Sequence, residues 1–156
     1  MIAAKTLGTP VKWTSTRTEG LLTDTHGRNM IAHGQLALDN DGKFLAMRID
    51  WIVDLGAYLS PGAQGHIRNT TNCMTGVYRI PALYATYRIP VTNTTPIGAY
   101  RGAGRPDIAY AVERLVNQAA AEIGMDPAEL RRRNFIPPSA FPYTSPTGGT
   151  YEIADL

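Results

Sequence analysis

The sequence predicts an α+β fold, an antiparallel or mixed β-sheet packed by one long and one short α-helix. Two alternating apolar runs, residues 30–38 and 43–55, flank Asp39-Asn40-Asp41-Gly42, a strong hairpin turn signal. Ile108, Val112, Leu115, Val116, Ala119 and Ile123 recur at helical spacing, and Gly124 offers a C-terminal stop. Asp126-Pro127-Ala128-Glu129 then reads as a second helix start, with Asp126 as cap, Pro127 in the first position and Glu129 reaching back.

In chain order, residues 3–7 read as the tail of a helix ended by Gly8 and Pro10. Residues 11–17 alternate Val, Trp and Ser with Lys and Thr and predict a strand, followed by a charged corner at Arg17-Thr18-Glu19. Residues 21–29 are polar with one glycine and read as a loop. In the second hairpin arm, Leu45, Met47, Ile49, Trp51, Val53 and Leu55 form the better core face. Residues 56–65 are broken by Pro61, Gly62 and Gly65. Residues 66–75 fit either a short helix or an irregular connection. Residues 77–81 are extended and residues 83–92 predict a strand. Pro81 and Pro90 mark strand ends or an edge strand, because proline cannot donate to a ladder. Residues 137–156, rich in Pro, Gly, Thr and Ser, read as an extended linker.

With 156 residues the chain is long enough for one real core and too short for two ordinary domains. Hydrophobic residues at 44% and charged residues at 18% describe a soluble, ordered protein. The net charge of +2 gives no argument for nucleic acid or an anionic membrane. No run approaches the roughly 18 apolar residues of a membrane span, and no secretory signal opens the chain. Cys73, the single cysteine, excludes an internal disulfide, fits a reducing, cytoplasmic compartment and reads as a small buried thiol. His26, His33 and His66 show no ligand spacing and read as surface or loop imidazoles. Arg131-Arg132-Arg133 reads as a solvated or acid-paired helix face.

Chemistry concentrates in residues 93–108. Gly98, Gly102 and Gly104 remove side chains from a bend between a β-like run and the long helix. Pro106 fits the first helical position and Asp107 the first turn. A glycine-rich bend leading to free helical N–H groups suits an anion or a polarised oxygen, and Arg101 and Arg105 add positive charge. The bend lacks the Lys-Ser/Thr of a P-loop and the glycine spacing of a dinucleotide fingerprint.

The string Pro96-Ile97-Gly98-Ala99-Tyr100-Arg101-Gly102-Ala103-Gly104-Arg105-Pro106 closely resembles the cofactor-facing loop of molybdenum hydroxylase large subunits. That family includes xanthine dehydrogenase, aldehyde oxidase and the carbon monoxide dehydrogenase large chain. The resemblance continues through Ala109 to Leu115, Gly124 to Ile136, Phe141-Pro142-Tyr143 and Ala3-Ala4-Lys5, covering in effect the whole chain. It implies a partial molybdopterin-binding domain over residues 1–136, a linker over 137–156, and a piece of a catalytic subunit several times longer.

The implied activity is oxidative hydroxylation of an aldehyde or heteroaromatic substrate with water as the oxygen source. The implied cofactor is molybdenum-molybdopterin, in its cytosine dinucleotide form if bacterial. Further implied partners are the remainder of the large subunit, an iron–sulfur small subunit and an FAD-binding medium subunit. By resemblance, Arg101, Gly102 and Ala103 are the cofactor-binding residues. Arg101 matches the arginine whose backbone lies at the molybdenum centre. Gly102 stands where true carbon monoxide dehydrogenases carry the copper-bridging cysteine. Ala103 stands where xanthine dehydrogenases stack a phenylalanine on purine, which makes it the substrate-facing position. Asn69, with Arg68 beside it, falls near the purine-binding arginine of those enzymes and receives no role. No catalytic residue is assigned, because the family's general-base glutamate falls outside this chain, and the isolated chain is expected to be inactive. A non-catalytic scaffold or interaction domain that retains the fold is the alternative. Gly102→Val is expected to damage activity more than stability.

Overall fold

A computed structural model describes residues 1–152; the last four residues of the predicted linker lie outside the described residues. The β-hairpin forms as the turn signal predicts, with β1 (Met30–Leu38) antiparallel to β2 (Phe44–Val53). The Asp39 carboxylate accepts from the N–H groups of Asp41 (3.0 Å) and Lys43 (2.8 Å), which closes the turn. Chain direction then reverses through α3 (Ala63–Asn72), and β3 (Ala82–Arg88) pairs parallel with β2. The sheet is therefore mixed, in the order β1-β2-β3. Pro81 and Pro90 bracket β3, as a non-donating residue at an edge strand requires.

Met47, Ile49, Trp51 and Val53 of β2 are buried, as the alternation predicts. Phe44 and Leu45 are exchanged relative to it: Phe44 is buried and Leu45 is exposed. Leu38 faces Phe44 and Ala37 faces Ala46, so Leu45 is an extra residue on β2. Such a bulge shifts the two-residue period by one and turns Phe44 inward.

The long helix α4 (Arg105–Ile123) lies across β1 and buries Ile108, Val112, Val116, Ala119 and Ala120. Gly124 ends it in a left-handed conformation. Asp126 caps α5 (Pro127–Asn134), accepting from the N–H groups of Ala128 and Glu129. The Glu129 carboxylate does not reach back to the cap; it takes the Arg133 guanidinium one turn on, at 2.9 Å. The arginine run is acid-paired. Arg131 holds Glu113 of α4 at 2.6 Å, and Glu129 also receives Arg132 at 3.7 Å. The Tyr78 hydroxyl donates to the same Glu113 at 2.7 Å, and burial with this bond raises the phenol's pKa above its ordinary value.

Two expectations near the N-terminus fail. The helix α1 (Ile2–Leu7) forms and ends at left-handed Gly8, but residues 11–17 form no strand. A helix, α2 (Arg17–Thr23), starts within that run instead and extends into the predicted loop. Thr16 and Glu19 form a reciprocal capping box that ties down both ends of the first turn. Residues 11–18 are exposed and have no neighbouring strand among the described residues, so their alternation has no apolar face to cover. After α5 the chain makes a 3₁₀ turn, Pro138–Ala140, and a small antiparallel pair, β4 (Tyr143–Thr144) with β5 (Thr150–Tyr151). The Tyr151 hydroxyl donates to the Gly76 carbonyl at 3.0 Å.

Asn134 joins the hairpin turn to α5. Its buried amide donates to the carbonyls of Gly42 and Leu130, each at 2.9 Å, and its Oδ1 accepts the Phe44 N–H at 2.7 Å. Asn134→Ala removes the side-chain partners of the buried Phe44 N–H and Gly42 carbonyl and unfastens α5 from the turn. A loss of about 2–4 kcal/mol is expected, seen as a lowered melting temperature of the subunit.

Candidate functional site

The bend predicted as the chemical centre lies between the end of β2, the segment before β1 and the start of α4. Residues 90–97 run back beside the segment after β2. Leu55 N–H donates to Pro90 O (3.1 Å), Thr92 N–H to Gly56 O (3.0 Å), Ala57 N–H to Thr94 O (3.0 Å) and Ile97 N–H to Leu55 O (3.2 Å). Asp54 is the knot of this region. Its Oδ1 accepts from the Gly56 N–H (2.8 Å) and the Thr92 hydroxyl (2.6 Å). Its Oδ2 accepts from the Asn29 amide (2.5 Å) and the Thr94 hydroxyl (2.8 Å). These donors, the Thr92 hydroxyl first, hold its carboxyl below the usual carboxylate range.

A second tie comes from residues 26–28. His26 N–H donates to Pro96 O at 3.0 Å, and Gly98 N–H donates to His26 O at 2.7 Å. A Cβ on Gly98 would stand 2.2 Å from the Thr25 hydroxyl, so only glycine lets the two segments meet. Arg28 donates from Nη2 to the Arg101 carbonyl at 2.8 Å, and its guanidinium lies 4.6 Å from the centre of the Tyr100 ring.

The bend itself is a tight turn. Ala103 N–H donates to Tyr100 O at 2.6 Å and Arg105 N–H to Gly102 O at 3.1 Å. Gly102, Ala103 and Gly104 all have positive φ, at 89°, 40° and 93°. Among the described residues, the N–H groups of Arg101, Gly102 and Gly104 donate to no acceptor. The three predicted site residues, Arg101, Gly102 and Ala103, thus sit in one turn, the first two exposed and the third half-buried. A Cβ on Gly104 would fall 2.1 Å from the His66 carbonyl oxygen and 2.5 Å from the Thr70 hydroxyl. The start of α4 therefore rests directly on the backbone of α3.

His66 is a correction. Expected at the surface or in a loop, it is 1% exposed on the inner face of α3. Its Nε2 lies 3.1 Å from the Met30 sulfur and 3.4 Å from Asp107 Oδ2 in the first turn of α4. Burial lowers the imidazole pKa, the Asp107 carboxylate opposes that, and the Arg28 charge adds to it. Sequence reasoning missed it because α3 carries few apolar residues. The spacing of Ala63, His66 and Thr70 on one helical face was the available signal.

His26 and His33 are exposed, as expected, although the His26 backbone is part of the tie. Cys73 is half-buried against the core. Arg68 and Asn69 lie on α3, exposed and half-buried. Among the described residues, no group of three or more His, Cys, Asp or Glu side chains is placed to hold a metal ion. No helix described is long and apolar enough to cross a membrane.

Gly102 also carries a stability requirement that the sequence did not reveal. A Cβ there would meet the Pro106 ring at 2.7 Å in a backbone conformation that disfavours side chains. Gly102→Val is therefore expected to lower the melting temperature as well as activity, and does not separate the two. Asp54 gives a cleaner test. Its lowered pKa contributes stability that is fully present above the ordinary value of 3.8 and is lost as pH falls below it. Asp54→Ala is expected to cost about 1–3 kcal/mol near neutral pH and to flatten the acid limb of a melting-temperature profile.

Residues 1–135 match the family model described as the molybdopterin cofactor-binding domain. The 6-hydroxypseudooxynicotine dehydrogenase complex subunit gamma of Paenarthrobacter nicotinovorans is 40% identical, over 91% of this chain and 18% of its own length. The nicotine 6-hydroxylase large subunit of the same organism is 37% identical, over 97% of this chain and 19% of its own. Among solved structures, quinoline 2-oxidoreductase from Pseudomonas putida 86 superimposes with a TM-score of 0.86 at 37% identity, covering 97% of this chain and 20% of that one. Reconstituted CO dehydrogenase from Oligotropha carboxidovorans gives a TM-score of 0.87 at 36% identity, covering 99% of this chain and 20% of that one. The chain thus spans about a fifth of the length of these relatives. The fold is shared with these structures nearly end to end along this chain, and the chain belongs to the molybdopterin cofactor-binding domain family of the molybdenum hydroxylase large subunits.

Proposed function

We propose that this chain forms part of the catalytic subunit of a molybdenum-dependent hydroxylase, and that the Tyr100–Gly104 bend faces the molybdenum cofactor. The observation that carries the reading is the run of three positive-φ residues beside N–H groups without acceptors. That donor set fits an oxygen-rich, anionic group. Backbone amides are fixed and neutral, and need no reorganisation when charge develops opposite them. The cofactor, when bound, supplies two-electron oxidative hydroxylation of a C–H carbon with oxygen from water. Arg101 and Gly102 supply donors at the cofactor, and the tie to residues 26–28 keeps them in place. Asp54 holds the segment that delivers the bend.

Gly102 offers no thiolate, so the reading does not include a bridging copper. Ala103 presents only a methyl group toward the substrate and leaves room for a ring. Relatives named for nicotine and quinoline favour a nitrogen heteroaromatic substrate, with an aldehyde as the other class. The general-base glutamate, an iron–sulfur subunit and an FAD-binding subunit complete the reading from outside this chain, with the cofactor in its cytosine dinucleotide form and the complex in the cytoplasm.

Metal analysis of the full-length subunit purified with its partner subunits tests this. Molybdenum near one per large subunit is expected; its absence after expression with cofactor biosynthesis intact overturns the reading. Ala103→Phe in that complex is expected to lower kcat/KM for a bicyclic heteroaromatic substrate about tenfold or more and leave molybdenum content unchanged.

A further inference from the structure

We propose that Arg28 is a positioning residue for the cofactor-facing bend, fixing and polarising the peptide between Arg101 and Gly102 so that the Gly102 N–H is presented to an oxygen of the cofactor. The inference rests on the reading of the bend as cofactor-facing.

Three observations converge on that peptide. Arg28 itself has a φ of 65°, a conformation L-residues rarely adopt. Its neighbours hold it there. The Asn29 amide donates to Asp54 Oδ2 (2.5 Å) and its carbonyl accepts the Asp54 N–H (3.0 Å), while the His26 backbone pairs with Pro96 and Gly98. Gly27 lets the Tyr100 side chain pass, since a Cβ there would stand 2.8 Å from the Tyr100 Cβ. The backbone is therefore anchored independently of the guanidinium that it aims.

That guanidinium forms no ion pair among the described residues. It is spent instead on a neutral carbonyl, that of Arg101, at 2.8 Å, with the Tyr100 ring beneath it at 4.6 Å. The peptide unit is planar and trans, so its N–H points away from the side its carbonyl faces. With Arg28 on the Arg101 carbonyl, the Gly102 N–H is directed opposite, where it meets no acceptor among the described residues. A charged donor on the carbonyl also draws electron density from the amide and strengthens its N–H as a donor. Gly102 has no side chain of its own to shield that face. Arg28 thus acts through the peptide and touches neither cofactor nor substrate in this scheme.

The test uses the full-length subunit in its complex. Arg28→Asn deletes the guanidinium with a residue that tolerates left-handed backbone. Arg28→Lys keeps the charge and loses the fork geometry. Expected in Arg28→Asn are molybdenum content and melting temperature close to those of the unmodified complex. Its kcat per bound molybdenum should fall about tenfold or more with KM little changed, because the donor strengthens as charge develops in the transition state. The Mo(V) electron paramagnetic resonance spectrum should shift, and Arg28→Lys should recover part of the rate. A spectrum and kcat per molybdenum equal to the unmodified complex overturn the inference and leave the cofactor reading standing. So do rate losses that merely track lost molybdenum or lost melting temperature in both variants. An unmodified complex without molybdenum overturns the cofactor reading and this inference with it.

Discussion

Gly104 sits where the first turn of α4 meets the backbone of α3, with no room for even a methyl group between them. The His66 carbonyl occupies the position a Cβ would take, and the Thr70 hydroxyl lies within 3.3 Å of the Gly104 carbonyl. This seat fixes where the bend ends and the helix begins. Next to it the Pro106 ring closes over Gly102, and the turn from Gly102 to Gly104 runs through positive φ. A side chain at residue 104 would lift α4 from α3 and, through its packing on β1, from the sheet. The fold and the site therefore share one contact.

Around that seat the molecule uses two kinds of tie. Asp54 collects hydroxyl, amide and backbone donors from three segments with one carboxylate. Arg28 takes a single carbonyl with a guanidinium braced on an aromatic ring. The first fixes where the segment after β3 runs; the second fixes how one peptide faces. Met47, Ile49, Trp51 and Val53 share one buried apolar cluster with Ile108, Val112 and Val116 of α4, and each large side chain removed from water contributes about 1.5–3 kcal/mol. Such packing does not by itself orient a peptide plane, which needs directional bonds.

The features legible in the sequence are those written over short distances. The hairpin turn at Asp39 to Gly42, the periodic face of α4, its glycine stop and the Asp126 cap all depend on residues a few positions apart. So did the capping box of Thr16 and Glu19, but the alternation of the preceding residues pointed to a strand; exposure decides between them, and exposure is not written locally. The bulge at Leu45 was hidden because nothing in β2 alone says that its partner strand is one residue shorter. His66 was misplaced because its burial depends on Met30 and Asp107, on two other elements. Arg28 carried no signal, since its partner lies 73 residues away. The bend was legible as a bend, and as a family loop by resemblance, while its fastening was not.

The parallel pairing of β2 with β3 also orders events in time. Parallel strands require a crossover, here through α3, so the two halves of the Asp54 cluster, Asn29 and Thr92–Thr94, become neighbours only after the chain has gone round. Closing such separations costs loop entropy before any bond rewards it. A chain that ends just after β2 has the residues of the hairpin and none of the bend. The receptive surface cannot form until residues up to the first turn of α4 have been made and docked, so the hairpin alone has nothing to offer a cofactor.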